Sequence, residues 1–134
     1  MKINVSVIVV HNGKILLMQR SLSDDYFPGS WGIPGGYMED YENILEETAK
    51  REVKEELRVD IVPDRVLFNN RNNDTETLYL VYSAKLKNNS DYPDGPKVSE
   101  EANDYKWATK EDLETLEFTP YTKERLVKVL SPDS

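Results

Sequence analysis

The chain has 134 residues and a mass of 15.5 kDa, the size of one ordinary domain. It contains no cysteine, which excludes disulfides and thiolate metal sites and fits a reducing cytoplasm. Its formal charge is −8 with a pI near 4.7, so a nucleic-acid polymer is a poor expectation as partner, and any anionic ligand needs a cation to accompany it.

At the N-terminus, polar residues interleave with apolar ones, and the run Val7 to Val10 falls far short of the roughly 20 residues that span a bilayer, so neither a leader peptide nor membrane contact is expected. Ile3, Val5, Val7 and Val9 recur at period two, with Ile8 and Val10 on the other face, which predicts a strand over 3–10 buried on both sides near its end. Asn12-Gly13 is a tight hairpin signal, because both turn positions accept positive φ. Ile15 to Met18 form the returning strand, ending at Gln19-Arg20. Residues 21–36 read as a loop rich in Gly and Pro, yet they hold Tyr26, Phe27, Trp31 and Ile33, so this loop is expected to pack against the body. A helix is predicted over 42–57, which lacks Gly and Pro. Strands follow at 59–68 and 76–86, then an exposed polar loop over 87–99 and a short strand at 104–108. Thr109 caps a helix beginning at Lys110-Glu111-Asp112, and an amphipathic helix covers 122–130. The expected product is a single α/β domain over 1–134.

The predicted helix carries its carboxylates on an unusual side. At about 100° per residue with Glu52 at zero, Glu55 falls near 300° and Glu56 near 40°. The apolar stripe of Leu45, Ala49, Val53 and Leu57 covers roughly 20° to 140° on the same wheel. Glu47, Lys50, Arg51, Lys54 and Arg58 occupy the opposite arc, where Glu47, Lys50 and Lys54 read as an ordinary solvated face. Three like charges turned toward the protein body repel one another and are costly to desolvate unless a cation joins them. Their hard oxygens suit Mg²⁺ or Mn²⁺.

The segment from Gly36 to Val59 resembles the Nudix box, G-x5-E-x7-R-E-U-x-E-E-x-G-U with U apolar. Gly36 and Glu42 stand at the family's spacing, and Arg51-Glu52-Val53-Lys54-Glu55-Glu56 matches its core residue for residue. Trp31 to Gly36 is similar to the strand that leads into the box. Two positions depart from the pattern. Eight residues separate Glu42 from Arg51 where the family has seven, which sets Glu42 apart from its usual role. Arg58 stands where the family has a glycine that ends the helix in a left-handed conformation, so a different ending or mild strain is expected there.

The resemblance implies a Nudix-type α/β/α sandwich with a mixed central sheet and two C-terminal helices. It implies a Mg²⁺ or Mn²⁺ ion held by Glu52 and Glu56, with Glu55 as a further or water-mediated ligand and the carbonyl of Gly35 completing the site. Arg51 would fix the carboxylate rotamers, and an acidic residue from the loop before Trp107, Glu101 in preference to Glu100, would join them. Glu52 and Glu101 both stand as candidates for the base. The implied activity is hydrolysis of the pyrophosphate link in a nucleoside diphosphate derivative: a nucleotide sugar, an ADP-ribose-like compound or a modified nucleoside triphosphate. Substrate contacts are read at Gly36, at Arg20 for a terminal phosphate, and at Tyr26, Phe27 and Trp31 for base stacking; an exposed arginine and core aromatics are the plainer readings. Homodimers are common on this fold. The other class in view is a nucleotide-sensing module that has lost catalysis, and the retained Arg51, Glu52, Glu55 and Glu56 argue against it.

Overall fold

Strand β1 (Lys2–His11) is central because both of its faces are apolar. Val5, Val7 and Val9 face one core and Ile8 the other, all fully buried in the computed structural model, which describes residues 1–87, 96–97, 102–119 and 122–130. β1 turns at Asn12-Gly13, both with positive φ, into β2 (Lys14–Arg20). Two short strands follow, β3 (Trp31–Gly32) and β4 (Gly35–Tyr37), then helix α1 (Leu45–Leu57). β5 (Ile61–Asn72), β6 (Thr77–Leu86), β7 (Ala102–Ala108), a 3₁₀ turn at Asp112–Glu114 and α2 (Thr122–Leu130) complete the described chain.

The sheet order is β3-β2-β1-β6-β5, with β4 also on β1 and β7 also on β2. β1 and β6 are parallel while the other pairs are antiparallel, so the sheet is mixed as expected. Pro63 lies on β5 at a register shift, where a missing N–H costs least. One core packs Ala49, Val53 and Leu57 of α1 onto Val5, Val7, Val9 and Leu16. The other packs Leu126 of α2 and Leu113 of the 3₁₀ turn onto Ile8, Ile15 and Leu17. The layers are helix, sheet and helix, an α/β fold. Each fully buried Val, Leu or Ile contributes on the order of 2 kcal/mol. No helix of the described residues is long and apolar enough to cross a membrane.

Several expectations shift. The helix expected from Glu42 begins at Leu45, because Glu42 instead closes a turn, its N–H donating to the Glu39 carbonyl and its side chain accepting the Glu39 N–H. The inserted residue lies after this turn, between Glu42 and Arg51. Residues 31–37, read mostly as loop, contain β3 and β4. The helix expected at Lys110 is a single 3₁₀ turn whose N-cap is Glu111, not Thr109, although Thr109 Oγ1 accepts the Asp112 N–H at 3.3 Å. Tyr26 and Phe27 are 59% and 43% exposed, so the apolar loop is only partly packed, with Trp31 and Ile33 against the second core. Of the expected loop over 87–99, residues 88–95 and 98–99 lie outside the described residues.

α1 ends at Arg58 with φ 60° and ψ 31°, its N–H donating to the Lys54 carbonyl at 3.0 Å. The helix therefore terminates as it would with glycine, while an exposed residue bearing a Cβ occupies the left-handed region. Arg58→Gly is expected to stabilise the protein by about 1 kcal/mol, the strain relieved less the added unfolded-chain entropy. Thermal melts read this as a rise of a few degrees; an unchanged or lower Tm would mean that Arg58 makes compensating contacts.

Candidate active site

α1 turns Glu52 and Glu56 inward beside Val53 and Leu57, leaving them 9% and 6% exposed. Glu55 stays at the rim with 58% of its side chain exposed. Arg51 gathers this face. Its Nη1 donates to Glu52 Oε1 at 2.8 Å and to Glu55 Oε2 at 3.2 Å. Its Nη2 reaches Glu42 Oε1 at 3.0 Å and the Tyr37 carbonyl at 2.9 Å, and its Nε reaches Glu42 Oε2 at 3.1 Å. Glu42 is thus the bidentate partner of Arg51, and Thr48 Oγ1 donates to it as well, at 3.0 Å. Arg51 holds the Glu42 carboxyl below its ordinary pKa, chiefly by these hydrogen bonds and against the opposing effect of burial. The Arg51 guanidinium is raised in turn, first by its bond to Glu42.

β4 brings the two glycines against this cluster. A Cβ on Gly36 would collide with the Glu52 carboxylate, so glycine is what allows Glu52 its place. A Cβ on Gly35 would lie 2.6 Å from the Val5 carbonyl and 2.7 Å from Ser6. The Gly35 N–H donates to Glu56 Oε2 at 3.1 Å.

Glu56 and Gly35 open onto a cleft of about 640 Å³ between the sheet and α2. Arg20 lines it but is engaged, with Nη2 on Asp24 at 2.7 Å and Nε on the Tyr26 carbonyl at 2.7 Å. Tyr26 and Phe27 form an exposed edge-to-face pair outside the cleft lining, 4.5 Å between ring centroids. Trp31 packs with the second core. Glu101 and Glu100 lie outside the described residues. Thr119, Thr122 and Arg125, none of them among the residues expected to meet substrate, also line the cleft. The spacing of Thr122, Arg125 and Leu126 as i, i+3 and i+4 on α2 was the available signal.

Among the described residues no three Asp, Glu or His side chains stand close enough to hold a metal ion together. The charge argument for a cation is met in part by Arg51, which joins Glu52 and Glu55. Arg51 pairs with three carboxylates, Glu42, Glu52 and Glu55, and its single charge balances only one of them.

The NUDIX domain family model matches residues 1–129, and the chain belongs to the Nudix family. It is accordingly a hydrolase of the pyrophosphohydrolase class. Among curated relatives, the nucleoside triphosphatase NudI of Enterobacter sp. (strain 638) is 32% identical over 131 residues, covering 89% of each chain. NudI of Escherichia coli (strain K12) is 28% identical over 135 residues, covering 91% of this chain and 92% of its own. Among solved structures, a NUDIX hydrolase from Nitrosomonas europaea superposes with a TM-score of 0.79 at 21% identity, covering 96% of this chain and 69% of that one. An ADP-ribose pyrophosphatase from Streptococcus suis 89-1591 gives 0.72 at 20% identity, covering 96% and 89%.

Glu42→Gln tests the turn that feeds the site. An amide would aim N–H at Arg51 Nε or at the donors on Oε1, and the guanidinium would lose its bidentate partner. Removing one member of so buried a pair costs about 3 kcal/mol. Because the folded pKa of Glu42 lies below its ordinary 4.5, its contribution is present above that pH and is lost as pH falls through the folded value. Urea melts should show the variant less stable at pH 7 and less sensitive to acid below about pH 4.5. Parallel pH profiles would remove Glu42 from the linkage.

Proposed function

We propose that the chain hydrolyses a nucleoside triphosphate to a nucleoside monophosphate and pyrophosphate. The observation that carries this reading is a buried carboxylate, Glu56, beside Gly35 in the wall of a ligand-sized cleft, on a helix face already ordered by Arg51. The triphosphate is preferred to an ADP-ribose-like compound because the curated relatives, similar over most of their length, are named nucleoside triphosphatases.

The donor chemistry fits a hard cation: the carboxylates of Glu52 and Glu56 stand at i and i+4 on one helix, with the Gly35 backbone beside Glu56. Glu52 and Glu56, with Glu55 and the Gly35 carbonyl, would hold Mg²⁺ or Mn²⁺, which supplies charge neutralisation at the phosphate oxygens. The Glu52 carboxylate takes the proton of the attacking water as its oxygen bonds to phosphorus and the bridging P–O bond breaks. Arg51 keeps Glu52 in the rotamer this requires, and Gly36 leaves room for it. Glu101 remains the second candidate for the base. Hydrophobic side chains of the cleft exclude water around the nucleoside.

Hydrolysis should vanish with EDTA and return with Mg²⁺ or Mn²⁺. Glu52→Gln should lower kcat about 10²- to 10⁴-fold while nucleotide binding persists. Lys54→Gln is the control, since Lys54 pairs with Asp60 at 3.1 Å on the far face of the helix. Activity surviving exhaustive chelation would sink the mechanism, and tight nucleotide binding without turnover in the parent would make the chain a sensing module.

A further inference from the structure

Within the cleft two guanidiniums differ in what they are already doing. Arg20 is closed off by Asp24 and the Tyr26 carbonyl. Arg125 has no carboxylate partner among the salt bridges of the described residues, in a chain of charge −8. Its guanidinium carbon lies 5.7 Å from the centre of the Phe68 ring, which steadies the head without using its N–H donors. Leu126, the next residue on α2, is fully buried and anchors that turn of helix, while Thr119 and Thr122 tie its start through a 2.6 Å hydroxyl contact. Arg125 is therefore a positioned, half-buried donor group in the lining of the cleft.

Part of the cleft lining around it is apolar, beside the hydroxyls of Ser6, Ser21, Ser23, Thr119 and Thr122. Met18, Ile33, Val81 and Leu126 line the same space, whereas the carboxylate Glu56 stands with the Gly35 backbone. A flat heterocycle fits among such side chains, and a triphosphate, which must remain hydrated or cation-bound, fits at the Glu56 wall. A guanidinium only donates. It satisfies a base edge carrying carbonyl or ring-nitrogen acceptors, such as guanine O6 and N7 or the O4 of thymine and uracil. It is mismatched with the amino group that adenine or cytosine presents at the equivalent position. We infer that Arg125 is a specificity-determining residue, reading the acceptor edge of the nucleobase and selecting guanine, thymine or uracil over adenine and cytosine. This inference rests on the nucleoside triphosphate reading above, and its test includes a measurement that does not need turnover.

The experiment compares kcat and KM for dGTP, dTTP, dATP and dCTP with Mg²⁺ in the parent and in Arg125→Gln. Thermal shifts with the four nucleoside monophosphates in EDTA run alongside. The parent should favour dGTP and dTTP by about tenfold or more in kcat/KM. Arg125→Gln should erase that preference through KM, with kcat changed less than about twofold and the monophosphate shifts levelled to match. Arg125→Lys, which keeps the charge and loses the fork, should retain only part of the preference, and it stands in if the glutamine variant does not fold. An equal loss on all four triphosphates would overturn the inference and assign Arg125 to the phosphates. No change on any of them would remove it from the substrate. If the parent turns over none of the four, the nucleoside triphosphate reading fails by itself, and the monophosphate shifts still decide whether Arg125 sorts the bases.

Discussion

Arg51 donates five hydrogen bonds to four groups: both oxygens of Glu42, one oxygen each of Glu52 and Glu55, and the Tyr37 carbonyl. These acceptors come from the turn before α1, from α1 itself and from β4, so one side chain fixes three pieces of backbone to each other. Only a planar fork with donors on three nitrogens reaches them together; a lysine ammonium at the same place is a point charge on a flexible stem. The arrangement is poor as a source of stability. Each buried ion costs several kcal/mol to desolvate, and a bond to a charged group returns only about 1.5 to 3 kcal/mol. What the cluster supplies is geometry, with Glu52 and Glu55 oriented before any ligand arrives.

The same constraint explains why two backbone positions near the cluster tolerate so little. Gly36 gives the Glu52 carboxylate the space a Cβ would fill, and Gly35 lets β4 close onto β1 while its N–H reaches Glu56. Both glycines serve the carboxylates, one by absence of bulk and one by a donor. On the other side of the cleft, α2, held by Leu126, contributes a guanidinium and the Thr122 hydroxyl, and Thr119 adds a second hydroxyl just before the helix. An acidic wall and a donor wall thus face a common space, which suits a ligand that is anionic at one end and a heterocycle at the other.

Much of this was legible in the residues. The period-two pattern marks β1, and the 3.6-residue wheel sets Glu52 and Glu56 on the apolar side of α1, whereas Glu55, expected to turn inward with them, stays exposed at the rim. The mixed three-layer architecture followed from the Nudix resemblance. What could not be read was how far Arg51 reaches. Spacing along a helix predicts its i+4 contact with Glu55, but not that a turn before α1 returns Glu42 to the guanidinium. The charge argument accordingly overstated the need for an outside cation at Glu52 and Glu55. Arg125 was hidden for a different reason: its role depends on Asp24 occupying Arg20, a tertiary pairing that no periodicity reports. Tyr26 and Phe27 misled in the opposite direction, because apolar composition in a loop does not say which rings find a core.

The central claim is that Arg51 and Glu42 act as one unit to hold Glu52. A double-mutant cycle on kcat, using Arg51→Met, Glu42→Gln and both together, tests it directly, since coupled residues depart from additivity. The account predicts that Arg51→Met lowers kcat strongly and that adding Glu42→Gln lowers it little further, leaving a coupling of at least about tenfold. Independent, multiplying losses would contradict it and would give the two residues separate tasks.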